Sequence, residues 1–148
     1  MLNNFVIGQQ TFKGGGDIAS SQFKVSYLIG RKVSFPLVQV VSASTSMAAF
    51  TAVSIALATP LNAITAHGNC KVGGGSSAAA SFSSISLGSD SFGTGWQEVR
   101  LGVNAGNGVD TASNFSIDII TPQTLYYRFE SDMTSNKAGS ILISSYLF

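Results

Sequence analysis

From residue 18 onward, apolar side chains recur at every second position, in short runs broken by glycine, asparagine, serine and proline. A period of two is the spacing at which successive side chains leave a strand on opposite faces. In residues 18–29, Phe23, Val25, Tyr27 and Ile29 fall on one face, against Gln22, Lys24 and Ser26 on the other. The pattern returns in 33–41, where Pro36 demands an edge strand or a bulge. It returns again in 47–58, with Val53, Ile55 and Leu57 aligned, and in the serine-rich segment 80–87. Residues 96–103 align Val99, Leu101 and Val103; Phe115, Ile117 and Ile119 alternate with Ser116 and Asp118. Leu125, Tyr127 and Phe129 follow Pro122, and residues 140–148 make an apolar closing strand. Nothing reads as a helix, because the alanines sit among serine, threonine and valine, which are poorer helix formers.

The connections are less uniform. Residues 61–72 suggest a short strand pair around His67-Gly68-Asn69, and the glycine run opening 73–77 predicts a flexible loop. The 88–95 stretch turns repeatedly, and Asn104 to Gly108 carries residues that accept positive φ cheaply. Eight to ten strands in one domain predict an all-β, two-sheet sandwich or a barrel. Eight core strands favour a jelly-roll sandwich over the seven-stranded immunoglobulin type. Residues 1–16 read as an N-terminal arm, with Phe5, Ile7 and Phe12 as anchors and Gly14 to Gly16 as its release; residues 17–148 form the single domain. A chain of 148 residues buries about two-thirds of its unfolded surface, enough for a core.

Charge narrows the function. Only 10% of residues are charged, against about 25% in ordinary soluble domains, and from Val33 to Ser89 Lys71 is the sole formal charge. Disorder is not the reason, since ten phenylalanines and four tyrosines are present. A net charge of +1 with Arg31-Lys32 as the sole adjacent basic pair excludes a phosphate-tracking stripe, so no nucleic-acid partner is expected. The most apolar stretch, residues 47–61, falls short of the ~20 residues a spanning helix needs, and no membrane span is expected. The N-terminus lacks the basic and apolar regions of a signal peptide, and the single cysteine forbids an internal disulfide. What the neutral segment asks for is cover by other protein surfaces, because free monomers blunt their strand edges with charge.

Searches for chemistry return little. His67 and Cys70 point to opposite faces of an extended segment, about 10 Å apart along it, beyond the reach of a nucleophile pair and too few for zinc. Glu98 and Glu130 are the acids to weigh for glycoside hydrolysis, yet Arg100 and Arg128 stand at the neighbouring same-face positions, and cross-strand ion pairs account for all four. The glycine runs lack the lysine of a P-loop and the third glycine of a dinucleotide fingerprint. Asn104 to Asp110 offers one charged ligand, thin for calcium. Trp96, flanked by Asp90 and Gln97, is either a core lid or a sugar-stacking platform. No catalytic residue, metal or cofactor is expected.

The serine-, alanine- and glycine-rich body, the strand Tyr127-Arg128-Phe129, the polar turn after it and the closing strand 139–148 together resemble the small jelly-roll cement or decoration proteins of tailed-phage heads. The resemblance implies a virion protein, assembled in the host cytoplasm, that reinforces the shell. Its implied partners are major capsid subunits and copies of itself, as a homo-oligomer within the particle. The candidate assembly interface comprises Phe5, Ile7, Phe12, Tyr146 and Phe148. Penton, spike and tail proteins share the style, and a carbohydrate-binding or adhesive head is the alternative from another class.

Overall fold

The computed structural model describes residues 27–29, 31–76, 81–103 and 106–148 of the chain. They form nine strands and no helix, hence no helix long and apolar enough to cross a membrane. In chain order these are β1 (Tyr27–Ile29), β2 (Lys32–Ala43), β3 (Thr51–Ser54), β4 (Thr65–Ser76), β5 (Ser81–Gly88), β6 (Gln97–Val103), β7 (Gly106–Asp118), β8 (Thr124–Ser131) and β9 (Ser135–Leu147). One sheet has the order β1-β2-β9-β4-β7 and the other β3-β8-β5-β6, and every pairing is antiparallel. The protein is a two-sheet β-sandwich, as the alternation predicts.

The inner faces supply the core. In the larger sheet Val41, Ile141 and Cys70 stand in one cross-strand row, and Val38, Ile143, Gly68 and Phe115 in the next. In the smaller sheet Val99, Ile85 and Phe129 form the matching row. Ile85, Leu87, Leu125, Phe129, Ile141, Ile143 and Val72 are sealed from water. Each such side chain contributes about 1.5–3 kcal/mol by leaving water.

Four sequence expectations need correction. Residues 61–72 do not make a strand pair: β4 is one continuous strand between β9 and β7. Gly73, Gly74 and Gly75 are buried within it rather than forming a flexible loop. The reason is space, since a Cβ on Gly74 would collide with the Met133 thioether that fills the gap. The strand predicted over 47–58 shrinks to β3; the chain turns at Ile55, whose carbonyl accepts from the Ala58 and Thr59 N–H groups at 2.9 and 3.0 Å. Ile55 is therefore buried while Leu57 is 83% exposed, so the two do not share a face. Finally, Gly106 to Gly108 already belong to β7, leaving only residues 104 and 105 to connect it to β6. Pro36 keeps its expected role, lying where the β2–β9 register shifts between Ser34 and Val38.

The predicted arm, residues 1–16, and most of the first predicted strand lie outside the described residues.

Candidate functional site

The tip of the β5–β6 hairpin is organised by one carboxylate. Asp90 accepts from the Phe92 and Thr94 N–H groups at 2.9 and 3.0 Å and from the Thr94 hydroxyl at 2.5 Å. These bonds, the Thr94 hydroxyl first, hold its pKa below the usual carboxylate value. Gly93 and Gly95 take positive φ within the same turn. Gly93 is also required for space, because a Cβ there would lie 2.5 Å from the Phe50 ring. The turn is thus fixed, and it presents Phe92 at 92% exposure and Trp96 at 51%.

Beneath them β8 contributes Arg128. Its guanidinium lies 5.4 Å from the Phe50 ring centre and 5.5 Å from that of Trp96, within cation–π range. The two rings meet edge to face at 6.5 Å. Glu130, two residues along the same strand face, holds the guanidinium at 3.4 Å. Phe50, Phe92, Gly93, Trp96 and Arg128 line an open depression of about 230 Å³. The Arg128 Nε is buried, without a hydrogen-bond partner.

The expected companions of Trp96 are engaged elsewhere. Asp90 serves its own turn. Gln97 donates from its amide nitrogen to the Ser116 carbonyl at 2.6 Å and accepts from the Ser116 N–H at 3.3 Å. A side-chain amide here does the work of a peptide group, joining the edge strand β6 of one sheet to the edge strand β7 of the other. Trp96 is half exposed and is not a core lid.

The remaining expectations sort as follows. Cys70 is sealed in the core, and burial pushes its thiol up to about 12. His67, on the same strand three residues before it, has a buried Nε2 with no partner. Among the described residues no three His, Cys, Asp or Glu side chains gather in a way that would hold a metal ion. Glu98 aligns with Ser86 and Arg128, and Glu130 with Ser84 and Arg100, so β5 and two register positions separate the acids. The expected cross-strand ion pairs give way to a pair along one strand, Glu130 with Arg128 on β8, and Arg100 lies over the Phe82 ring at 4.5 Å. Asp110 is bound by Lys71 at 2.6 Å. Tyr146 and Phe148 join Phe35 in a chain of rings with centres 6.0 and 6.3 Å apart, and Tyr146 packs on the core. Phe5, Ile7 and Phe12 lie outside the described residues.

The uncharged segment that the sequence marks for cover contributes to a second surface. The β3–β4 connection, residues 55–64, and the β7–β8 connection, residues 119–123, emerge at one end of the sandwich and contain no charged residue. They are knit together: Ile119 N–H donates to the Ile64 carbonyl at 2.8 Å, Ile55 N–H to Gln123 at 2.8 Å, and the Gln123 side chain to Thr59 at 2.6 Å. From this ordered frame Leu57, Leu61, Ile64 and Ile120 project at 83, 72, 52 and 60% exposure. The signal in the sequence was the run of uncharged residues, without the geometry to say which of them face outward.

No protein-family model matches the chain, and no curated protein matches it.

Proposed function

We propose that the chain is a structural subunit of a virus particle, a cement or decoration protein of the tailed-phage head type. In this reading it binds major capsid subunits and copies of itself, has no catalytic activity, and resides in the virion. The single observation that carries the reading is the ordered, charge-free sandwich end with Leu57, Leu61, Ile64 and Ile120 facing outward. Ordinary monomers keep contiguous exposed apolar patches small, and larger ones mark interaction sites. The strand order supports the finer fold reading of a jelly roll. With β1 set aside, β2-β9-β4-β7 faces β3-β8-β5-β6, and the chain changes sheet at every connection except β5–β6. Phe5, Ile7 and Phe12 are the upstream apolar groups this reading assigns to contacts with neighbours.

A double variant, Leu57→Asp with Leu61→Asp, tests it. Both side chains are exposed, so the sandwich is expected to keep its circular dichroism spectrum and thermal midpoint. Association, measured by light scattering and by sedimentation with particles of the virus, is expected to fall at least about tenfold, the scale of one interface hot spot. A wild-type chain that stays monomeric and never sediments with particles refutes the reading, as does a variant that incorporates undiminished.

A further inference from the structure

The depression at Trp96 is separate from the apolar end in chemistry and calls for a different ligand. Its walls are aromatic and its floor is a guanidinium, which Glu130 contacts from its own strand. Phe92 has almost no contact with the rest of the chain, yet the Asp90 bonds and the two positive-φ glycines hold its backbone in one conformation. Ordering a turn in order to leave a phenylalanine in water stabilises nothing in the folded chain. It does pre-organise a surface for a bound group.

The geometry points to a binding site for a neutral pyranose sugar, stacked on Trp96 and Phe92 and hydrogen-bonded by the Arg128–Glu130 pair. A pyranose has one face of C–H groups that packs on an aromatic ring. Its hydroxyls each donate and accept, so they require both kinds of partner at the rim. Arg128 only donates and ionised Glu130 only accepts, and together they supply both. Their mutual contact at 3.4 Å cancels the local charge, which removes any preference for an anionic ligand. The volume, about 230 Å³, lies below the ~300 Å³ and upward of drug-sized pockets and suits one ring of a glycan rather than a nucleotide. This reading replaces Asp90 and Gln97, the neighbours in sequence, with Arg128 and Glu130, the neighbours in space.

The chain has one tryptophan, so its fluorescence reports this site alone. Titration of the full chain with maltose, lactose and chitobiose, with galacturonate as the acidic arm, is expected to give saturable emission changes for at least one neutral sugar. A half-point on the order of 1 mM is expected for so shallow a site. Phe92→Ala, at a fully exposed position that does not disturb folding, is expected to weaken the response at least about tenfold, and Arg128→Gln likewise. No saturable change with any neutral sugar overturns the proposal. So does a response confined to galacturonate, or one that Phe92→Ala leaves intact. The assay uses isolated chain and monosaccharide- or disaccharide-sized probes, so its outcome is independent of whether the chain assembles.

Discussion

Two single residues, Ser83 in the core and the half-buried His67 on β4, report on how polar groups are tolerated in this sandwich. Ser83 is fully buried on β5 and its hydroxyl has no hydrogen-bond partner. A buried unpaired hydroxyl costs roughly 1–3 kcal/mol of desolvation, while alanine has almost the same shape. Ser83→Ala is therefore expected to stabilise the chain by about 1 kcal/mol, read as a higher urea midpoint at unchanged slope. His67 behaves in the opposite sense with pH. Desolvation, and secondarily the charge of Lys32, lowers its pKa in the folded state. Below the unfolded value of about 6.5 the unfolded chain then binds more protons than the folded one, so acid favours unfolding. Stability is expected to be complete above about pH 6.5 and to decline as pH falls through the window beneath it. His67→Asn is expected to flatten that decline. Asp90, whose folded pKa is also lowered, adds its own loss only below about pH 4, so the two are separable in a pH series of denaturant melts.

At the scale of elements, the parts legible in the sequence were those whose side chains carry the period. Phe115 and Ile117 in β7, and Leu125 and Phe129 in β8, are buried where alternation places them. The glycine-rich half of β4 was not legible, because Gly73 to Gly75 have no side chains with which to display a period. Their intrinsic preference opposes a strand, and Met133, distant in sequence, decides the outcome by filling the space. Residues 55–58 failed for a related reason. Their apolar alternation continues past Ser54 while the backbone turns at Ile55, and turn bonds to its carbonyl override the pattern. The candidate site was half legible: Trp96 was singled out, but its partners come from β8 and from Phe50, which no local spacing reveals. The apolar closing strand has no charged residue after Lys137, and it needs none, because β9 lies between β2 and β4 and is flanked on both sides. The proposed contact with a neighbour consequently draws on the loops of the sandwich end and not on this strand.

For the whole molecule, the central place of β9 makes a quantitative demand. Its register runs from Gly139 to Leu147 with β2 and from Ser135 to Leu147 with β4, and the last residues are tied back by Phe148 N–H to the Arg31 carbonyl at 3.2 Å and by Arg31 Nε to the Phe148 oxygen at 2.5 Å. Removing residues 135–148 takes out Ile141 and Ile143 together with both ladders. Losing those two side chains alone costs about 3–6 kcal/mol, comparable with the 5–15 kcal/mol that holds an entire domain. The truncated chain is expected to be unfolded by circular dichroism and soluble only in denaturant. A native spectrum from that truncation would contradict the strand order. Trimming Phe148 alone is expected to be mild by comparison, because it removes the outer ring of the Phe35–Tyr146–Phe148 series and the two hydrogen bonds to Arg31 but leaves both ladders.

The order in which a ribosome delivers these strands differs from the order in which the larger sheet needs them. β2 and β4 are synthesised early and must wait, each with one bare flank, for a strand that arrives after every other. Nascent chains in that interval carry two open templates for illicit pairing, the condition under which growing β polypeptides clump or recruit chaperones. A chain that ends before residue 135 lacks the strand that joins β1-β2 to β4-β7, and its larger sheet is left in two parts.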